Sequence, residues 1–166
     1  MTQTVRIGLA GVAALTFAVT ALMVLTRADT APRVEYTLLD GSRHSSDELR
    51  GKVVLVHFWA TSCAPCRQEM PGLIETQRRF RARGLETLSV AMRYDPPAYV
   101  MQYAESHTLP FLVTMDNTGE IARRYGQVQL TPTTFVLDQR GRIVKQYVGA
   151  VDLAQLQTLL DQLLTV

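Results

Sequence analysis

The run Lys52–Trp59, KVVLVHFW, constrains this chain more than any other stretch. It is apolar and β-branched without polar alternation, the pattern of a central strand buried on both faces. A strand of that kind needs a covering layer on each side, so helices and further strands have to alternate around it. The run passes without a linker into the only two cysteines, Cys63 and Cys66, and then into a helix expected from about Ala64 to Arg83, with Gly84 as its stop.

The remaining segments supply the layers. VEYTLL (34–39) reads as a short strand ending at the Asp40–Gly41 turn, and SSDELRG as a helical turn capped by Ser45 or Ser46 and closed by Gly51. LETLSVAM is a second buried strand. Asp95-Pro96-Pro97 signals the start of a helix running to about His107. FLVTM is a strand and GEIARRYG a short helix closed by Gly126. TTFVLD and RIVKQYVG form a hairpin across the QRG turn, and DLAQLQTLLDQLL is an amphipathic terminal helix with Asp152 near its cap. The order predicts an α/β chain with a central mixed sheet flanked by helices.

Composition matters chiefly at the amino terminus. Ile7–Leu25 is 19 residues without a charge, flanked by Arg6 and Arg27. A signal-peptide apolar core runs about 7–15 residues and a membrane span about 20, so the length favours an uncleaved anchor over a removed signal. The expected organisation is a cytoplasmic segment 1–6, a transmembrane helix 7–25, a linker 26–33 and one domain over 34–166. A short positively charged start places that domain on the extracytoplasmic side of the cytoplasmic membrane. Without Arg6, Arg27 and Asp29, the rest of the chain holds 15 basic and 14 acidic side chains, a balance that points away from nucleic acid.

The cysteines admit three readings: a buried structural pair, part of a metal site, or a reactive dithiol. Zinc takes about four ligands, and His44, His57 and His107 are scattered along the chain; no metal is expected. A strand-to-helix junction favours the reactive reading. Unpaired backbone N–H groups and the helix dipole at a helix start stabilise a thiolate. Cys63 meets that position, Cys66 follows one turn on, and Pro65 fits the first turn, which does not need its N–H. Pro132, in QLTPTTFVLD, marks a tight turn before a strand; its peptide bond is either cis or that of an ordinary loop proline, and both readings stay open on the residues alone.

Taken together, LLDGSRHSSDELRGKVVLVHFWATSCAPCRQEMP and LTPTTFVLDQRGRIV resemble the thioredoxin superfamily, specifically its membrane-anchored TlpA/ResA-type thiol–disulfide oxidoreductases. The resemblance implies a thioredoxin-like fold behind the anchor, a cis Pro132 packed against the disulfide, and Glu69 as the acid beneath the dithiol. It makes Thr131, Pro132 and Trp59 the residues expected to meet substrate. Two positions depart from the pattern: His57 stands where a buried Asp or Asn is usual, and Ser62 where a Trp is. His57 is either a hydrogen-bonded core residue or a candidate for proton transfer.

The expected activity is that of an extracytoplasmic disulfide reductase. Cys63 attacks a protein disulfide and Cys66 resolves the mixed disulfide, so the redox-active pair serves without a separate cofactor. The resemblance further implies a membrane electron donor of the CcdA/DsbD type and a role such as cytochrome c maturation. Alternatives are an oxidase or isomerase using the same dithiol, a thiol peroxidase of the AhpC/TSA-like peroxiredoxin type, which the LLDGSRHSSDELRGK opening also suits, and a non-catalytic copper or zinc carrier.

Overall fold

The computed structural model describes residues 30–165. The expected anchor, Ile7–Leu25, lies outside the described residues, together with residues 1–6 and the first part of the linker. Among the described residues no helix is long and apolar enough to cross a membrane.

Strand β3 (Val53–Trp59) is buried at every position and lies at the centre of a five-stranded sheet ordered β5-β4-β3-β6-β7. β4 (Leu85–Ala91) and β5 (Leu112–Met115) run parallel to it on one side. On the other side β6 (Thr133–Leu137) pairs antiparallel with β3, and β7 (Ile143–Val148) pairs antiparallel with β6. This is the mixed sheet expected from the alternation. Pleating sends Val54, Val56 and Phe58 into one core with Leu88, Val90, Phe135 and Tyr125. Val53 and Leu55 go into the other, with Leu73, Phe80, Leu156 and Leu160.

The second face is covered by α1 (Ala64–Phe80) and, at the far end of the chain, by α4 (Leu153–Leu163). α1 tightens into a 3-10 turn over Arg81–Arg83 and stops where Gly84 adopts φ +101°, a left-handed conformation suited to glycine. α2 (Pro97–Ser106) and the short α3 (Glu120–Arg124) complete the helices. Asp152 caps α4 by accepting from the N–H groups of Ala154 and Gln155.

Before the main sheet, β1 (Glu35–Thr37) pairs with β2 (Arg43–Ser45), a strand the sequence reading lacked. β2 is three polar, half-exposed residues with no apolar alternation to reveal it. A capping box between Ser45 and Glu48 then starts the 3-10 turn Ser46–Leu49.

Candidate active site

β3 delivers the dithiol to the start of α1. Cys63 is the helix N-cap and Cys66 lies in the first turn, behind Pro65. The two form a disulfide with Cα atoms 5.3 Å apart. The backbone N–H of Cys66 donates to Cys63 Sγ across 3.2 Å. An amide aimed at that sulfur, at the positive end of the helix dipole, is what a Cys63 thiolate needs once the bond is reduced. The sulfurs differ in access: Cys63 is partly exposed, whereas Cys66 is fully buried with Trp59, Met70 and Val100. The arrangement therefore has one accessible sulfur and one sheltered sulfur.

The carboxyl of Glu69 lies one turn beyond Cys66 and is buried. Its Oε2 accepts the N–H of Val151, in the loop before α4, at 2.8 Å. Burial pushes its pKa up to about 7, with the Val151 bond pulling the other way. Glu69 is thus a buried carboxyl and not a solvated helix charge. Opposite it, His57 is fully enclosed on β3, with Nδ1 3.0 Å from Thr134 Oγ1. Burial pushes the imidazole pKa down to about 4. His57 Nε2 and Glu69 Oε1 face one another at 3.7 Å, and neither atom has a hydrogen-bond partner among the described residues. The spacing alone would make an ion pair. Because burial drives both groups toward neutrality, the geometry instead sets a carboxyl beside a neutral imidazole.

The Thr131–Pro132 peptide bond is cis. The β3–β6 register ends at Phe58 opposite Thr133, so Pro132 sits at the end of the sheet from which the cysteine loop departs. Pro132 O accepts the N–H of Gly149 at 2.8 Å, and Thr131 Oγ1 lies 3.3 Å from the Tyr94 hydroxyl. Leu130 and Tyr94 leave 66 % and 56 % of their surface exposed beside this turn, an apolar rim at the mouth of the site.

Trp59 corrects an expectation. Its ring is wholly buried, packed at 5.1 Å on the Tyr103 ring and clustered with Cys66. Strand alternation turns it inward beneath α1 and α2, so its ring packs against Cys66 and is closed off from the surface where a substrate would dock. Asp95 also differs from its reading as a helix-start residue. Its buried carboxylate accepts both the N–H and the hydroxyl of Thr61, at 2.6 and 2.5 Å, and Pro96 takes the N-cap of α2. That tie to the cysteine loop has no local signature beyond a threonine and a distant aspartate. Among the described residues no three His, Cys, Asp or Glu side chains converge to hold a metal ion.

Three comparisons bear on this site. The family model described as Redoxin matches residues 26–160. The chain is 31 % identical over 133 residues to a thiol-disulfide oxidoreductase ResA from Bacillus thuringiensis, covering 80 % of this chain and 76 % of the relative. It is 34 % identical over 122 residues to one from Geobacillus thermodenitrificans, covering 74 % and 69 %. Among solved structures, a thiol:disulfide interchange protein of the thioredoxin family from Chlorobium tepidum superposes with a TM-score of 0.77 at 29 % identity, covering 84 % of this chain and 98 % of the other.

Proposed function

Because the chain belongs to the redoxin family and is a thiol–disulfide oxidoreductase of the TlpA/ResA type, we propose that it works as a disulfide reductase on protein substrates outside the cytoplasmic membrane. The observation that carries this reading is the asymmetry of the pair. Cys63 Sγ caps the helix and receives an amide N–H, while Cys66 is sealed one turn above a buried carboxyl.

In the reduced protein, the Cys63 thiolate attacks one sulfur of a substrate disulfide. A Cys63–substrate disulfide forms and the other substrate sulfur leaves as a thiolate. Glu69, as a carboxylate, takes the Cys66 thiol proton. The Cys66 thiolate then attacks Cys63 Sγ, closes the Cys63–Cys66 disulfide and expels the second substrate thiolate. Two electrons pass from protein to substrate, carried by the cysteines themselves. Thr131 and Pro132 present backbone to the bound segment, with Leu130 and Tyr94 beside it.

A dithiol donor in the membrane, of the CcdA/DsbD type, restores the reduced state, and apo-cytochrome c is one class of substrate that would need such a reductase. The uncharged segment 7–25 supports anchoring and export of the domain. The test is trapping with Cys66→Ser, followed by identification of the proteins linked to Cys63 and measurement of the Cys63–Cys66 reduction potential. A reductase holds extracytoplasmic polypeptides with paired cysteines and has a potential below theirs, each 30 mV or so changing the equilibrium about tenfold. A potential above that of its captured partners would instead assign oxidation.

A further inference from the structure

Four buried side-chain polar atoms lack a hydrogen-bond partner among the described residues: Glu69 Oε1 and His57 Nε2, which face one another, Ser89 Oγ, and Trp59 Nε1 in the Cys66 cluster. His57 and Ser89 are register partners on β3 and β4, and Thr134 is the partner of His57 on β6. Orphaned buried polar atoms are uncommon, and a facing pair of them calls for a functional explanation.

We propose that His57 is a positioning residue for Glu69 whose ring switches tautomer with the carboxyl's protonation state, so that Glu69 can gain or lose a proton without leaving a buried partner unpaired. This deepens, and rests on, the reading of Glu69 as the base for Cys66.

The bonding follows from what each group can do. The Val151 N–H only donates, so Glu69 Oε2 remains an acceptor in both states. The exchangeable proton is therefore held on Oε1, the atom that faces His57 Nε2 across 3.7 Å. That gap is slightly beyond hydrogen-bond length and closes with a small rotation of the carboxyl. With Glu69 protonated, Oε1–H donates to Nε2, and the ring carries its own proton on Nδ1 and donates to Thr134 Oγ1. With Glu69 ionised, Nε2–H donates to Oε1, and the Thr134 hydroxyl donates to Nδ1. The ring holds one proton in either state and only its position changes. The pair as a whole gains or loses one proton, the one exchanged with Cys66.

A neutral imidazole and a hydroxyl are both ambivalent, each offering one donor and an acceptor. No arginine or lysine is buried among the described residues to neutralise the carboxylate instead. The groups set around the pair are Ser89 from β4, Thr134 from β6 and the Val151 amide, with Cys66 one turn before Glu69 on α1. Beyond them come Tyr147 on β7, opposite Thr134, and Asp152, which caps α4. None of these supplies a positive charge. Burial of the imidazole, which holds it neutral, agrees with this role.

The test is long-range 1H–15N correlation on the full-length chain in detergent, labelled at its 3 histidines, with the Glu69 carboxyl followed in parallel. The His57 signals are identified by their loss in His57→Leu. The expected result is an Nδ1–H tautomer at low pH and an Nε2–H tautomer at high pH, with the change tracking the Glu69 titration. One tautomer throughout, or an imidazolium, overturns the proposal. In a second arm, His57→Leu removes donor and acceptor together. The pH midpoint for mixed-disulfide resolution should move up by about one unit, a roughly tenfold change in proton affinity. His57→Gln, whose amide can turn either end to Glu69, should restore much of it. An unmoved midpoint in His57→Leu overturns the proposal. A fixed tautomer beside a pH profile that Glu69→Gln abolishes removes the His57 role alone. A Glu69→Gln variant with the parent's profile removes the reading beneath it, and this proposal with it.

Discussion

Asp95 grips Thr61 twice, accepting its backbone N–H at 2.6 Å and its hydroxyl at 2.5 Å, and so ties the loop that presents Cys63 to the segment leading into α2. Both bonds go to a carboxyl group buried from water, where an unmade hydrogen bond is costly.

Asp95→Ala should therefore leave the Thr61 N–H without a partner. The expected loss is on the order of 1–3 kcal/mol, with Tm falling by about 2–4 °C for each kcal/mol. Thr61→Val, which keeps the amide bond, should lose less. Thermal unfolding of the two variants checks this, and an Asp95→Ala protein melting with the parent would show that the tie contributes nothing.

The buried Glu69–His57 pair should give opposing pH dependences. Glu69 has its pKa raised from 4.5 to about 7, so its ionisation disfavours the folded state, and stability falls as pH rises through that window. His57 has its pKa lowered from 6.5 to about 4, so its protonation disfavours the folded state, and stability falls as pH drops through that window. In the parent the two slopes offset each other where the windows overlap. Glu69→Gln should expose the His57 slope, with stability rising from pH 4 to 6.5. His57→Leu should expose the Glu69 slope, with stability falling as pH rises from 4.5 through 7 to about one unit above it. Each change is on the order of 3 kcal/mol. Urea unfolding across that range measures both slopes, and two variants with the same sign of slope would contradict the assignment.

Glu69→Gln should also slow resolution of the mixed disulfide by about 10²-fold and flatten its pH profile, while the first attack by Cys63 changes little. Stopped-flow measurement of the two steps with a single-disulfide substrate separates them. An equal slowing of both would point to disturbed packing.

In the reduced protein Cys63 should alkylate well before Cys66 at mildly acidic pH. Cys63 is the accessible sulfur with an amide donor, and Cys66 is enclosed. Peptide mapping after a short iodoacetamide pulse reads the order directly. Preferential labelling of Cys66 would reverse the roles.

Tyr94→Ala and Leu130→Ser should raise KM for protein disulfides about fivefold or more, the loss expected when an exposed contact worth on the order of 1 kcal/mol is removed. Their reaction with glutathione disulfide, too small to reach that rim, should match the parent. A parallel loss on both substrates would place the effect in the chemistry instead of in docking.

Much of this architecture was legible because it rests on local rules. The apolar runs at 52–59 and 85–92, the proline and glycine punctuation, and the cysteines at a strand-to-helix step determine a central sheet with a cysteine pair at the end of its middle strand. β2 escaped because three polar residues carry no periodicity. The properties that make the dithiol a working site depend on partners far apart in the chain. Val151 reaches Glu69 from 82 positions away, Thr134 meets His57 from 77, and Asp95 holds Thr61 from 34. Whether Glu69 is a surface charge or a proton acceptor, and whether Trp59 meets substrate or supports the core, is a matter of burial. Burial is settled by how the layers close over one another, because desolvation and hydrogen bonding act through space and leave no mark on residue spacing.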